Sequence, residues 1–144
     1  MDLLIKNGTV ITAEGRCEAD LAVQDGRIVV MGKRLDMGAD QVIDASDKFV
    51  LPGAVDVHVH LQLPVGNFVS ADGYESGTRA AACGGVTTVF DFVTPVKGQS
   101  LVEAIRQELR LFGEQACVDF GLHGVIPGSC ADIAEELEKS AEMG

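Results

Sequence analysis

Leu51-Pro52-Gly53-Ala54-Val55-Asp56-Val57-His58-Val59-His60 reads as an apolar strand whose end carries two histidines one residue apart. Side chains at i and i+2 of a strand point to the same side, so His58 and His60 share a face while Val57 and Val59 fill the other. Imidazoles set about 7 Å apart along a strand can converge on one ion placed between and beyond them. The bland alternative is a buried strand with two hydrogen-bonded histidines. The chain then leaves through Leu61-Gln62-Leu63-Pro64-Val65-Gly66, which places the pair at a C-terminal strand edge, where α/β proteins build their sites. Asp56 falls on the same face by alternation and is a candidate to orient an imidazole or to hold the strand end.

The surroundings of this stretch divide the chain. Before it come only short strands: Leu3-Leu4-Ile5, an Asn7-Gly8 turn signal, and Thr9 to Thr12 as a hairpin. Ala19 to Val23, Asp25-Gly26 and Arg27 to Met31 repeat the pattern, because both dipeptides tolerate the positive φ of two-residue turns. Gln41 to Asp44 and Lys48 to Leu51 add two more strands. After it, strands alternate with helices. A first helix is expected from Gly73 to Ala82, with Asp72 as cap and Glu75 reaching back, stopped by Gly84-Gly85. That glycine pair follows a helix and precedes a strand, the reverse of a phosphate loop. The strand Val86 to Phe90 delivers Asp91 to the histidine edge. Ser100 with Glu103 forms a capping box for a second helix whose Val102, Ile105, Leu109 and Phe112 make one apolar stripe. Cys117 to Leu122 is a third strand, ending near His123. Ser129 opens a third helix with Ile133, Leu137 and Ala141 as its buried stripe. Three βα units in succession argue a parallel sheet. The expected domains are therefore 1-52, a small β-layer, and 53-144, an α/β layer.

Composition bounds the function. The apolar share of 47% with 23% charged residues is that of a folded protein. A formal charge of -11 argues against nucleic-acid binding, which needs a concentrated basic surface. Glu135, Glu136, Glu138 and Glu142 around Lys139 read as a solvated helix face. Cys17, Cys83, Cys117 and Cys130 lack any Cys-x-x-Cys spacing and read as free, mostly buried thiols of a reducing compartment. The N-terminus has no signal-peptide pattern, and no apolar run approaches a membrane span, so the expected location is cytoplasmic, away from membranes.

Pro52-Gly53-x-x-Asp56-x-His58-x-His60 resembles the start-of-barrel signature of the amidohydrolase superfamily. Asp72 to Thr88, Phe90-Asp91-Phe92, Gly98 to Leu101 and Asp119-Phe120-Gly121-Leu122-His123 bring the likeness closest to the hydantoinases and dihydropyrimidinases. The resemblance runs over nearly the whole chain and implies a fold, an α/β metal-dependent hydrolase barrel of the TIM-like (β/α)8 type preceded by part of a composite β-sandwich. Such a barrel needs about 250 residues, so the 144 present correspond to its first three βα units, an N-terminal fragment of a longer protein.

Two strand-end histidines imply metal-assisted hydrolysis, since neutral imidazole is a good Zn²⁺ ligand and the ion brings the pKa of its water toward about 7. The resemblance adds a binuclear centre: His58 and His60 on the more buried metal, later histidines on the second, a bridging carbamylated lysine and a late aspartate as base. Only the two histidines occur here; the lysine and base are expected beyond Gly144, and Lys139 lies in the third expected helix. No catalytic residue is thus assigned within the fragment, which alone is expected to be inactive. Asp91 and Asp119 at strand ends read as caps of the following loop or helix more than as residues facing a catalytic mouth, and His123 reads as a structural histidine. Leu61-Gln62-Leu63 lacks the arginine or asparagine that holds an acidic substrate in some superfamily members, favouring a small cyclic ureide or imide. The implied activity is opening of the cyclic amide bond of hydantoins or dihydropyrimidines to N-carbamoyl amino acids, by a full-length protein that is a homo-oligomer. Allantoinase, dihydroorotase and non-catalytic dihydropyrimidinase-related interaction proteins are the alternatives, the last disfavoured by retention of both histidines.

Overall fold

The computed structural model describes residues 1–126 and 133–143, which form a mixed α/β structure. The chain divides into two compact units, Met1–Pro52 and Gly53–Gly144.

In the first unit, β1 (Leu3–Thr12), β2 (Gly15–Gln24) and β3 (Arg27–Gly32) are antiparallel neighbours, and β4 (Gln41–Asp44) and β5 (Phe49–Val50) pair parallel with β1. The turn between β2 and β3 is the one expected, with Asp25 at φ 51° and Gly26 at φ 70°. The hairpin expected at Asn7-Gly8 is not formed: β1 runs straight through, and the Asn7 φ of 63° is absorbed as a bulge, where pairing with β2 shifts between Ile5 and Gly8. Side chains explain why. The Asn7 main-chain N–H donates to the buried Asp20 at 2.8 Å, and its Nδ2 donates to Asp44 at 3.0 Å. Partners on both sides of the strand hold Asn7 within the sheet. The Asn7 bond, with those of Ser46, brings the Asp44 pKa down to about 2. Leu4, Val10, Ala19 and Leu21 are buried, with Val10, Ala19 and Leu21 packed together.

The second unit contains β6 (Ala54–Val59), β7 (Pro64–Val65), β8 (Phe68–Val69), α1 (Tyr74–Cys83), β9 (Val86–Val93), α2 (Leu101–Gln115), β10 (Asp119–Gly124) and α3 (Ile133–Ala141). The strands β10, β9 and β6 lie side by side, all parallel, while β7 and β8 pair as a small antiparallel ribbon. Ser100 and Glu103 close the expected capping box on α2, Oγ accepting from Glu103 N at 3.1 Å and the carboxylate from Ser100 N at 3.2 Å. The α1 cap differs from expectation: Gly73 is the N-cap, and Ser76 Oγ accepts its N–H while donating to Asp72. Glu75 turns outward to Arg79 at 3.2 Å.

One face of the parallel sheet is covered. Tyr74 of α1, Val89 of β9 and Phe112 of α2 form its centre, with Phe112 stacked between Tyr74 (4.4 Å) and Phe120 (4.3 Å). Val93, Leu101, Ala104 and Ile105 make a second cluster. The α2 stripe is therefore centred on Leu101, Ala104, Ile105 and Phe112, with Val102 and Leu109 only half-buried at its margins. The stripe expected on α3 is only partly covered. Ile133 is half-buried but Leu137 and Ala141 are exposed, and Glu136, Ser140 and Met143 are half-buried beside them. Leu137 and Ala141 line an open cleft with Leu101, Ile105 and Leu109, while Glu136 accepts the Val102 N–H at 3.1 Å in the first turn of α2, where unpaired donors favour a carboxylate. The expected helix start at Ser129 and Cys130 lie outside the described residues. Cys17, Cys83 and Cys117 are free but exposed, contrary to the buried thiols expected.

Candidate metal centre

The other face of the sheet carries the histidines. His58 lies in β6 and His60 immediately follows it, and their Nε2 atoms stand 3.1 Å apart with the rings nearly perpendicular. Both residues are exposed. Two imidazole nitrogens this close either share a proton or direct two lone pairs at a common point. Ligands bonded at about 2.0–2.1 Å to a single ion would be separated by 3.1 Å at an angle of about 100°. The pair therefore fits a metal ion geometrically. Among the described residues, no group of three or more His, Cys, Asp or Glu residues is assembled that could hold one.

An irregularity in β6 sets this geometry. Asp56 pairs with Val89 and Val59 with Asp91, so three steps along β6 match two along β9. Val57 and His58 form the bulge, opposite Phe90. Asp56 Oδ1 accepts the His58 main-chain N–H at 3.2 Å, so its carboxylate holds the backbone of His58. Phe92 lies beside both imidazoles, its ring centre 4.4 Å from His58 and 5.1 Å from His60.

Asp91 reaches the histidine edge with its side chain turned away from the open face. It is 4% exposed, accepting Phe92 N at 2.7 Å and Leu61 N at 3.1 Å. Burial raises its pKa, against the opposing pull of those two N–H groups and of His60. Its geometry is that of a pin on the turn that follows His60. Leu61 itself packs into the Tyr74 cluster. Asp119 opens β10, paired with Thr88, and so lies at the far end of the strand from His123. Its place is away from the histidine edge.

Sequence reasoning gave Phe92 no role of its own and read His123 as a structural histidine. His123 sits opposite Phe92 in the register, and its Nε2 is 3.0 Å from the carbonyl oxygen of Val57, two strands away. The signal was Gly121: a Cβ there would lie 2.3 Å from Phe90 Cε1, so only glycine lets that ring lie across β10.

These features belong to a recognisable group of proteins. Residues 49–143 match the family described as "Amidohydrolase family". The chain is 46% identical over 142 residues to a D-hydantoinase of Geobacillus stearothermophilus, covering 99% of this chain and 30% of that protein. It is 39% identical over 137 residues to a dihydropyrimidinase of Dictyostelium discoideum, covering 94% and 27%. A solved D-hydantoinase structure superposes with a TM-score of 0.92 at 43% identity, over 99% of this chain and 31% of that one. The chain thus spans about three-tenths of the length of the relatives it matches.

Proposed function

The chain belongs to the amidohydrolase family, and from that premise we propose that the full-length protein hydrolyses the cyclic amide bond of hydantoins or dihydropyrimidines, releasing N-carbamoyl amino acids. In this reading Met1–Pro52 is part of a β-sandwich and the parallel sheet from Gly53 onward is the first three βα units of a (β/α)8 barrel. The observation that carries it is the His58–His60 pair: two Nε2 atoms 3.1 Å apart on the open face, at the carboxyl ends of parallel strands. The names of the relatives, hydantoinases and dihydropyrimidinases, support the substrate class.

His58 and His60 would hold a divalent ion, Zn²⁺ by ligand type, in what would be a binuclear centre once the rest of the barrel is present. When bound, such an ion polarises a carbonyl and makes water nucleophilic near neutral pH. The chain's own residues prepare that site. Asp56 fixes the main chain at His58, Asp91 fixes the main chain after His60, and Phe92 backs both rings. Each imidazole must present an unprotonated Nε2, which places its proton on Nδ1. Leu61, Gln62 and Leu63 carry no cation beside the pair, so an uncharged ureide ring suits the site better than a carboxylate-bearing one.

Purified full-length protein should open hydantoin or dihydrouracil with a higher kcat/KM than dihydroorotate. Changing His58 or His60 to Ala should remove bound metal and activity while circular dichroism stays that of the parent. Metal content unchanged in both variants, or a preference for dihydroorotate, would overturn the assignment.

A further inference from the structure

The Val57–His58 peptide sits in the β6 bulge, where neither residue has a partner in the β9 register. Its two polar groups are nevertheless both engaged. The N–H, on His58, donates to Asp56 Oδ1 at 3.2 Å, and the C=O, on Val57, lies 3.0 Å from His123 Nε2. We propose that His123 is a positioning residue which, with Asp56, clamps this one peptide plane from both sides and so holds His58 turned toward His60.

A carbonyl oxygen only accepts, so His123 must carry its proton on Nε2. That tautomer cannot offer Nε2 as a metal ligand while the clamp is closed. The task therefore differs from that of His58 and His60, whose Nε2 atoms face each other. The ring is also held in its plane. It stacks on Phe90 at 5.4 Å between centres and leans on Phe92 at 4.9 Å, and Phe92 in turn backs His58 at 4.4 Å. Gly121 leaves the room that Phe90 needs to take this position. A bulge leaves its main-chain groups without ladder partners, and a side chain reaching over the intervening strand replaces the missing bond. Rotation of that peptide would swing the His58 Cα–Cβ direction and separate the two nitrogens.

The inference rests on the metal-binding reading of His58 and His60, and the test separates the two. Full-length protein, stripped of metal, is titrated with Zn²⁺ against a chromophoric chelator, and the Co²⁺-substituted form is recorded in the visible range. Glutamine can place its amide nitrogen near the position of Nε2, whereas asparagine is too short and leucine has no donor. Residues that orient a ligand typically affect metal affinity by about 10–100-fold, so H123N and H123L should weaken Zn²⁺ binding about tenfold or more and shift the Co²⁺ bands, with H123Q within about threefold of the parent. Nitrogen-15 shifts of His123 should report the Nε2–H tautomer. Parent-like affinity and Co²⁺ spectra in H123N, or equal losses in H123Q and H123N, would overturn the clamp. If H123L does not fold, the H123Q and H123N pair decides. Parent-like affinity in H58A and H60A would instead overturn the metal reading, whatever His123 does.

Discussion

The two faces of the parallel sheet are built on opposite plans. On the covered face, Val89, Asp91 and Val93 are 2–4% exposed beneath two helices, and aromatic rings stack through Phe112. On the other, His58 and His60 stand exposed, with half-buried Phe90 and Phe92 as the only large apolar side chains of β9 beside them. The strand period of two sends consecutive residues of β9 to these different tasks. Stability and the proposed metal site thereby fall to alternate residues, and a change on one face should leave the other nearly intact.

The largest effect should come from Phe112, which is fully buried. Replacing it with Ala should destabilise the second unit by about 3–5 kcal/mol, read as faster hydrogen exchange of the β9 and β10 amides. Metal bound per folded molecule should not change. Loss of metal at parental stability would break the division between the faces.

Asp91 is where the division should fail. Asp91→Ala leaves the Leu61 and Phe92 N–H groups without their acceptor, at a cost of about 1–3 kcal/mol in denaturant unfolding. Because Leu61 follows His60 directly, metal affinity should fall as well. A loss of stability with parental metal affinity would show that the turn holds His60 without this carboxylate.

The smallest effect should be at Ser100. Removing this cap with Ala should cost about 1 kcal/mol in denaturant unfolding. α2 belongs wholly to the covered side, so metal affinity should match the parent. Any weakening would mean that α2 transmits strain through β9 to the open face.

Local rules read from the sequence identified what repeats and what ends elements. The period-two and helical patterns, the Ser100–Glu103 box and the Asp25-Gly26 turn depend on neighbours in the chain, and they appear where expected. Asn7-Gly8 failed because Asp20 and Asp44, remote in sequence, supply hydrogen bonds that make the same backbone angle a bulge. The α3 stripe lies on the side of α2 but is not buried: Leu137 and Ala141 line a cleft with Leu101, Ile105 and Leu109 that stays open, and apolar spacing carries no information about how far such a cleft is filled. At the histidine pair, spacing gave the shared face, but strict alternation contains no bulge. The peptide held between Asp56 and His123 depends on three strands at once. No window along one strand contains it.

The bulge at Asn7 also governs how β1 is prevented from pairing wrongly. A regular strand can slide along its neighbour in two-residue steps while still presenting the same residues inward. β1 cannot do so freely, because its left-handed residue must sit where Asp20 reaches the main chain and Asp44 reaches the side chain. Any slip strands Asn7 away from both carboxylates and pushes Gly8 off the close approach to Val50 and Ala45, where even a Cβ would lie 2.6 Å from the Val50 side chain. One departure from regularity thus acts as a notch: the strand seats in a single register, and misaligned sheets are penalised before their side chains have packed.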